Sequence, residues 1–435
     1  MPERFGNLLD CLYDPAFIKQ HRTVETAFTR CRKLPFHLLI CFLLNQVKGA
    51  IQREVDDFFV HTLGLKAGDS VSTAAVSYAR IGLPARVFTS LNARLLDSVI
   101  DLLPSHFWHG FRVMAVDGSV LNLPRTPALF EAFGGQNSAG VKLPMARYSQ
   151  LLDVGSGFSW HTCMEPYVVG EGVCAAEHLT HAPRDALVLY DRGYPSFFLF
   201  AWHRQHERAF CARIKRNFSP ETDALFADPK APRPFLLAPC AKARALCEEH
   251  GVAAQPLRVR AVRVILSTGE TEILLTSLLD EARYPDAEFG ALYALRWGVE
   301  SDFRVQKSRL EVENFTGIRP ESLRQDVYAR VLVKNIAMLL NALVQQRLDA
   351  EREAQKRRDP ASVPKFRKCP NVTDLLHLCK FVLVAFLLSP PTGCLQPILD
   401  QLRRHTHAER PGRTTPRTKK SGKSKKYPMS YKQTA

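Results

Sequence analysis

Residues 293–307 read YALRWGVESDFRVQK, and Tyr293, Arg296, Glu300 and Lys307 fall on one stripe of a predicted helix. At about 100° per residue they lie near 0°, −60°, −20° and −40°. An aromatic ring, a carboxylate and two cations do not make a packing face, because buried charges need dedicated partners. Arg296 and Glu300 are spaced i,i+4, so the stripe also suits an exposed salt-bridged face. The stripe alone leaves both readings open. Trp297 lies off it and is expected in the core.

Two apolar runs upstream each end in an aspartate. FRVMAVDGSVLNLP carries Asp117 before Gly118, and ALVLYDRGYPSFFLF carries Asp191 before Arg192 and Gly193. Short Val-, Leu- and Tyr-rich runs punctuated by Gly and Pro read as buried strands. A strand-end aspartate can present its carboxylate at a fixed place, and each can equally be an Asp that starts a turn. Two such aspartates and a helix glutamate make a carboxylate set suited to hard divalent cations.

These blocks resemble the bacterial DDE transposases of the insertion-sequence-four group, whose signature is Tyr-x2-Arg-x3-Glu-x6-Lys. Tyr293, Arg296, Glu300 and Lys307 complete it. VDGSVLNLPRTPALFEAFGG is similar to the family's first catalytic block and DRGYPSFFLF to its second, in the same order, and the likeness runs from about residue 20 to about 390. The resemblance implies an α/β, ribonuclease-H-like core of the retroviral-integrase type, interrupted by a β-rich insertion. It also implies cut-and-paste transposition by phosphodiester hydrolysis and strand transfer. Asp117, Asp191 and Glu300 would hold two Mg²⁺, with Mn²⁺ as a substitute, and Asp117 between them. Tyr293, Arg296, Lys307 and Arg192 would contact DNA. Expected partners are double-stranded DNA at the element's terminal inverted repeats, target DNA and a second copy of the chain. A metal-dependent nuclease of the same fold and a non-catalytic DNA-binding derivative are the alternatives.

Composition agrees. The chain has 435 residues and a formal charge of +16, length enough for two or three domains. From Arg403 to Ala435 there are eleven Lys or Arg and one acidic residue, Glu409, so that segment carries +10 of the total. Lacking apolar periodicity and rich in Pro, Gly, Ser and Thr, it reads as disordered. It is a DNA-binding arm that releases counterions or a solubilising tail. The eleven cysteines contain no C-x-x-C pair, and Cys240, Cys247 and His250 lack the paired spacing of a zinc site. Scattered thiols suit a reducing cytosol. MPERFGNLLD does not read as a signal peptide, and LPFHLLICFLL and FVLVAFLL are too short to span a bilayer of ~30 Å. The expected place is the bacterial cytoplasm, associated with the nucleoid and not with a membrane.

The expected domains follow. Residues 1–104 read as a helical, DNA-end-binding unit. Within it SVSTAAVSYARIGLPARVFTSLNARLLDSV suits a helix-turn-helix with Arg80, Arg86 and Arg94 as candidate contacts, or an ordinary helical hairpin. Residues 105–204 form the first part of the core, where RYSQLLDV-GSG-FSWHTCMEPY reads as a hairpin and Asp153 opens its turn. Residues 205–284 form the insertion, since a short connection between Asp191 and Glu300 needs far fewer than 108 residues. In it PLRVRAVRVILSTGETEILLTSLL reads as a hairpin about Thr268-Gly269-Glu270, with Arg258, Arg260 and Arg263 either facing DNA or lying on a polar face. The family stacks a flipped base on an insertion aromatic; no tryptophan lies between Trp202 and Trp297, leaving Phe218, Phe226 and Phe235 as substitutes. Residues 285–390 complete the core with helices, joined by the charged connector EREAQKRRDPASVPKFRK. Residues 391–435 form the basic tail.

Overall fold

The computed structural model describes residues 10–410 except 31–32, 46–47, 139, 229, 231–232, 267–268 and 389–394. Its centre is a mixed ten-stranded sheet. Strand β2 (Phe111–Asn122) pairs antiparallel with β4 (Val141–Asp153), which pairs with β5 (Phe158–Pro166). On its other side β2 runs parallel to β6 (Ala186–Tyr190), and β6 runs parallel to β7 (Ala209–Ile214). Short β1 (Phe107–Trp108) and β3 (Gly135–Ser138) add to β2 and β4.

Both faces of this sheet are covered, which is why β2 and β6 read as unbroken apolar runs. Met114, Val116, Val188 and Tyr190 pack into one hydrophobic cluster. Val113, Ala115, Leu187 and Leu189 pack into a second, with Tyr293, Val299 and Phe303. Alternation along the strands therefore assigns Asp117 and Asp191 to the second face.

The sheet does not stop at residue 205. Strand β10 (Thr271–Thr276) pairs antiparallel with β7, β9 (Leu257–Ile265) with β10, and β8 (Pro234–Leu237) with β9. The β-rich segment thus extends the central sheet edge to edge. Its hairpin matches the sequence reading, though Thr268 of the turn lies outside the described residues. Arg260 is fully buried, donating to the Leu278 and Tyr284 carbonyls and paired with Asp286. It is a structural cation, while Arg258 is exposed and Arg263 bonds Thr271. Phe218, Phe226 and Phe235 all pack against the apolar core.

The described part of residues 1–104 is helical, including Thr73–Ile81 and Arg86–Val99. Arg80 is not a DNA contact. It is 5% exposed, 2.9 Å from Asp326, and bonded to Gln325 and Ser322 of the helix Pro320–Arg358. Arg86 donates to the Gln20 carbonyl and Arg94 lies over the Phe17 ring.

The 39-residue helix Pro320–Arg358 contains a stretch long and apolar enough to cross a membrane, 78% buried inside the protein. It continues through EREAQKRR, so the connector is helical until Pro360 stops it. Residues 395–408, expected within the disordered tail, are ordered instead. Leu395–Arg404 is a helix that buries Leu399 and Leu402, and β12 (Thr406–Ala408) pairs with β11 (Lys368–Pro370). Two buried leucines one turn apart anchor the segment despite its flanking charge. Residues 411–435 of the tail lie outside the described residues. The described cysteines are free thiols.

Candidate active site

Parallel pairing brings the two aspartates together. Val116 stands in register with Tyr190, so Asp117 and Asp191 follow side by side on neighbouring chains, about 5 Å apart at the backbone. Asp117 is not at a strand end. β2 continues to Asn122, with Gly118 opposite Ser149. Nor does Asp117-Gly118 form a turn; its carboxylate accepts the Gly118 N–H at 2.9 Å within the strand. Asp153 does open the GSG turn, accepting the Gly155 and Ser156 N–H groups at 3.0 Å, fully buried.

The glutamate-bearing helix is interrupted. Asp286–Ala294 and Trp297–Ser308 are separate helices, joined through Leu295 and Arg296 by i→i+3 bonds such as Arg296 N–H to the Tyr293 carbonyl. This tighter turn still leaves Arg296 donating to Glu300 at 2.9 Å. Trp297 is 54% exposed, contrary to expectation, with the Arg296 guanidinium 5.0 Å over its ring. It lies two residues, about 200°, from Val299, whose face is the buried one.

A buried polar network fixes this second helix to the sheet. Gln306 bonds Gln150 and Asp302, Gln150 also bonds Asp302, and fully buried Lys334 reaches Asp302 at 2.9 Å. Glu300 is two residues from Asp302, so its position is set by a satisfied network rather than a loop.

Arg296 lies at the centre of the acidic group. Its guanidinium is 2% exposed and interacts with Glu300, Asp191 and Asp117. Although burial works against its charge, Tyr293, Glu300 and Asp191 hold the guanidinium above its usual range. Tyr293 is 7% exposed and donates to the Tyr190 carbonyl at 3.3 Å and Asp191 at 3.4 Å. Its ring offers no face for stacking on DNA; it braces Asp191. Lys307 donates to the Val120 carbonyl at 2.7 Å and stands 3.9 Å from Glu313, beside the strand that carries Asp117. Arg192 is exposed.

Burial above all pushes the Asp117 carboxyl up to about 6; the Gly118 N–H and Arg296 oppose this, while Glu300 and Glu171 add to it. A carboxylate buried beside Glu300 and Glu171 is costly to ionise by itself, and a divalent cation bound there would favour its charged form. Two buried donors point the same way. Tyr194 Oη and Arg296 Nη1 are buried and have no hydrogen-bond partner among the described residues, an unsatisfied state that a bound oxygen would relieve. Asp117, Asp191 and Glu300 are hard oxygen donors, and the set fits Mg²⁺-type ions.

Glu171 was missed in the sequence. It is the first residue of the helix Glu171–His181, where an acidic side chain is ordinary. It reaches the site because residue 118 is glycine: a Cβ there would meet Glu171 Oε1 at 3.1 Å and Tyr194 Oη at 3.2 Å. The only sequence signal was the pair Gly118 and Gly193, small residues where a neighbour must approach closely.

Comparisons with known proteins place the chain in a family. The sequence model described as "Transposase DDE domain" matches residues 108–336. The transposase InsG for insertion sequence element IS4 of Escherichia coli (strain K12) is 24% identical over 325 residues, covering 72% of this chain and 71% of that protein. The putative transposase InsZ of the same organism is 30% identical over 88 residues, 20% of this chain and 29% of its own. The cryo-EM structure of the piggyBac transposase synaptic complex with hairpin DNA aligns with a TM-score of 0.42 at 9% identity, over 95% of this chain and 87% of that one. The chain belongs to the DDE-domain transposases, DNA-acting enzymes that cleave nucleic acid with the help of divalent metal.

Proposed function

We propose that the chain catalyses cut-and-paste transposition of an insertion sequence of the insertion-sequence-four type, with Asp117, Asp191 and Glu300 as its catalytic carboxylates. The observation that carries this reading is the register of β2 and β6, which sets two aspartates side by side on the face covered by the Glu300 helix. The strand order β5-β4-β2-β6-β7, with the first three antiparallel and the last three parallel, supports a ribonuclease-H-like core. We take residues 1–104 as the DNA-end-binding unit, 105–204 and 285–390 as the core, 205–284 as the insertion, and the remainder as the basic tail. Since β7 (Ala209–Ile214) supplies the fifth strand of that core order, the inserted part of 205–284 is taken to begin after Ile214.

Two Mg²⁺ held by these carboxylates would activate water and relieve charge on the leaving oxygen. The side chains around them have separate tasks. Tyr293 holds Asp191, and Arg296 holds Glu300 while its unpartnered Nη1 receives a phosphate oxygen. Lys307, about 10 Å along the helix from Glu300, and exposed Arg192 grip the DNA backbone farther out. The Tyr-Arg-Glu-Lys signature then works as brace, clamp, ligand and phosphate anchor. A homodimer at paired terminal inverted repeats, working in the cytoplasm at the nucleoid, completes the proposal.

The test uses purified chain and DNA containing its gene and both flanks, with and without Mg²⁺, mapping new 3′-hydroxyl ends. Metal-dependent cuts at two defined flanking positions are expected. Scattered cuts would replace the proposal with a general nuclease, and binding without cutting would replace it with a non-catalytic DNA-binding protein.

A further inference from the structure

A second group of ligand-type side chains lies away from the three catalytic carboxylates. His161 on β5 and Glu177 and His181 on the helix Glu171–His181 each bring one ligand atom within 4.8 Å of the others. Glu177 and His181 are spaced i,i+4 and so share a helix face. Both are exposed and His161 is half-buried. The His161 and His181 rings stack at 3.9 Å and 15°, so exposed His181 must turn out of this stack for both ring nitrogens to face one ion. All three line a cleft of about 530 Å³ that also contains Glu165 and Arg324.

Hydrogen bonds behind His161 set its tautomer. Ser149 Oγ donates to the Asp117 carbonyl at 3.2 Å. With its one proton on that carbonyl, the hydroxyl accepts from His178 Nε2, 2.9 Å away, an arrangement that leaves His178 Nδ1 as an acceptor. His161 Nδ1, 2.8 Å from it, must then carry the proton, and His161 Nε2 keeps its lone pair. An imidazole whose second nitrogen is held by a hydrogen-bonded neighbour is the usual build of a metal-binding histidine.

We propose that His161, Glu177 and His181 form a transition-metal site, with Zn²⁺ as its occupant and one coordination position open. Two imidazoles and a carboxylate select Zn²⁺ over Mg²⁺, which prefers an all-oxygen shell. Ligand atoms about 3.3 Å apart would satisfy tetrahedral Zn²⁺, and the exposed ends of Glu177 and His181 have the rotamer freedom to close from 4.8 Å. An ion here joins β5 to the helix that begins with Glu171. Through His178 and Ser149 it also connects to the Asp117 carbonyl, so its occupancy stiffens the frame around the catalytic carboxylates.

The test uses full-length, tag-free protein stripped with chelator and titrated with Zn²⁺ and, separately, Co²⁺. Wild type should take up one Zn²⁺ more than His181→Ala or Glu177→Gln. Its Co²⁺ form should show the intense visible bands of a four-coordinate ion, kept in Asp117→Asn and lost in His181→Ala. Zn²⁺ should raise the melting temperature of wild type and Asp117→Asn more than that of His181→Ala or Glu177→Gln. Both substituted side chains are exposed, so the variants keep the fold, which circular dichroism checks. Equal Zn²⁺ uptake and equal Co²⁺ spectra in wild type and His181→Ala would overturn the proposal, as would no uptake by wild type.

Discussion

Arg147 Nη1 lies 2.9 Å from Glu171 Oε1, and this pair sets a fourth carboxylate beside Asp117. Glu171 adds to the upward shift of the Asp117 carboxyl, so the two sense each other's charge. Outer carboxylates around a metal-binding set tune its affinity, and removing them typically costs 10–100-fold. Glu171→Gln should therefore raise the Mg²⁺ concentration needed for half-maximal cleavage by roughly 10-fold or more, with DNA binding unchanged. Arg147→Ala should do the same more weakly. A Mg²⁺ titration of cleavage that superimposes on wild type would exclude a role for Glu171.

Asp117 is held charged at a cost. Its folded value of about 6 stands above the ordinary 3.8, so ionisation destabilises the metal-free protein as pH rises through that window, by roughly 3 kcal/mol at most. Asp117→Asn should abolish cleavage yet raise the melting temperature at pH 7.5 in chelator. The gain should fade at pH 4, where the wild-type carboxyl is protonated. A melting temperature that falls at pH 7.5 would contradict this electrostatic account.

The Lys334–Asp302 pair behaves differently. Lys334 is fully buried and Asp302 nearly so, and removing one partner leaves an uncompensated charge, which costs about 3–5 kcal/mol. Lys334→Met should lose stability of that size in urea unfolding. Adding Asp302→Asn should recover part of it. Full additivity of the two losses would mean that the pair does not act as a unit.

Glu54 supplies an acid-sensitive joint. Burial opposes its ionisation, but the Gly49 and Lys48 N–H groups and Lys380 together hold its carboxyl below the usual 4.5. A depressed carboxylate contributes stability that is fully present above its unfolded value and is lost as pH falls through its folded one. Glu54→Gln should thus destabilise the protein at pH 7 and flatten the loss of melting temperature below pH ~4.5. An unchanged acid limb in thermal unfolding would show that other carboxylates dominate it.

Much of this was legible in the residues, and the failures share a cause. Period-2 runs around Gly-containing turns gave the β4–β5 and β9–β10 hairpins, and the i,i+4 spacing gave the Arg296–Glu300 bond. What one chain segment cannot display is what another places against it. Arg80 and Arg260 read as surface cations, because their partners Asp326 and Asp286 are 246 and 26 residues away. Leu399 and Leu402 sat in a charged stretch whose anchoring helix lies far upstream. Trp297 read as core because it lies off the charged stripe, while the helix face that decides burial runs through Val299 and Phe303. Glu171 was invisible for the same reason, since only the glycine at 118 records its approach.

The central claim is that Asp117, Asp191 and Glu300 act as one unit. It is tested most directly by single-turnover cleavage of end-containing DNA in Mg²⁺ by Asp117→Asn, Asp191→Asn, Glu300→Gln and the triple variant, with DNA binding measured alongside. Each single variant should lose cleavage by on the order of 10³-fold or more, the triple should be no worse than the singles, and binding should hold within about twofold, as groups acting together require. A Glu300→Gln or Asp191→Asn variant that cleaves at the wild-type rate would contradict the assignment.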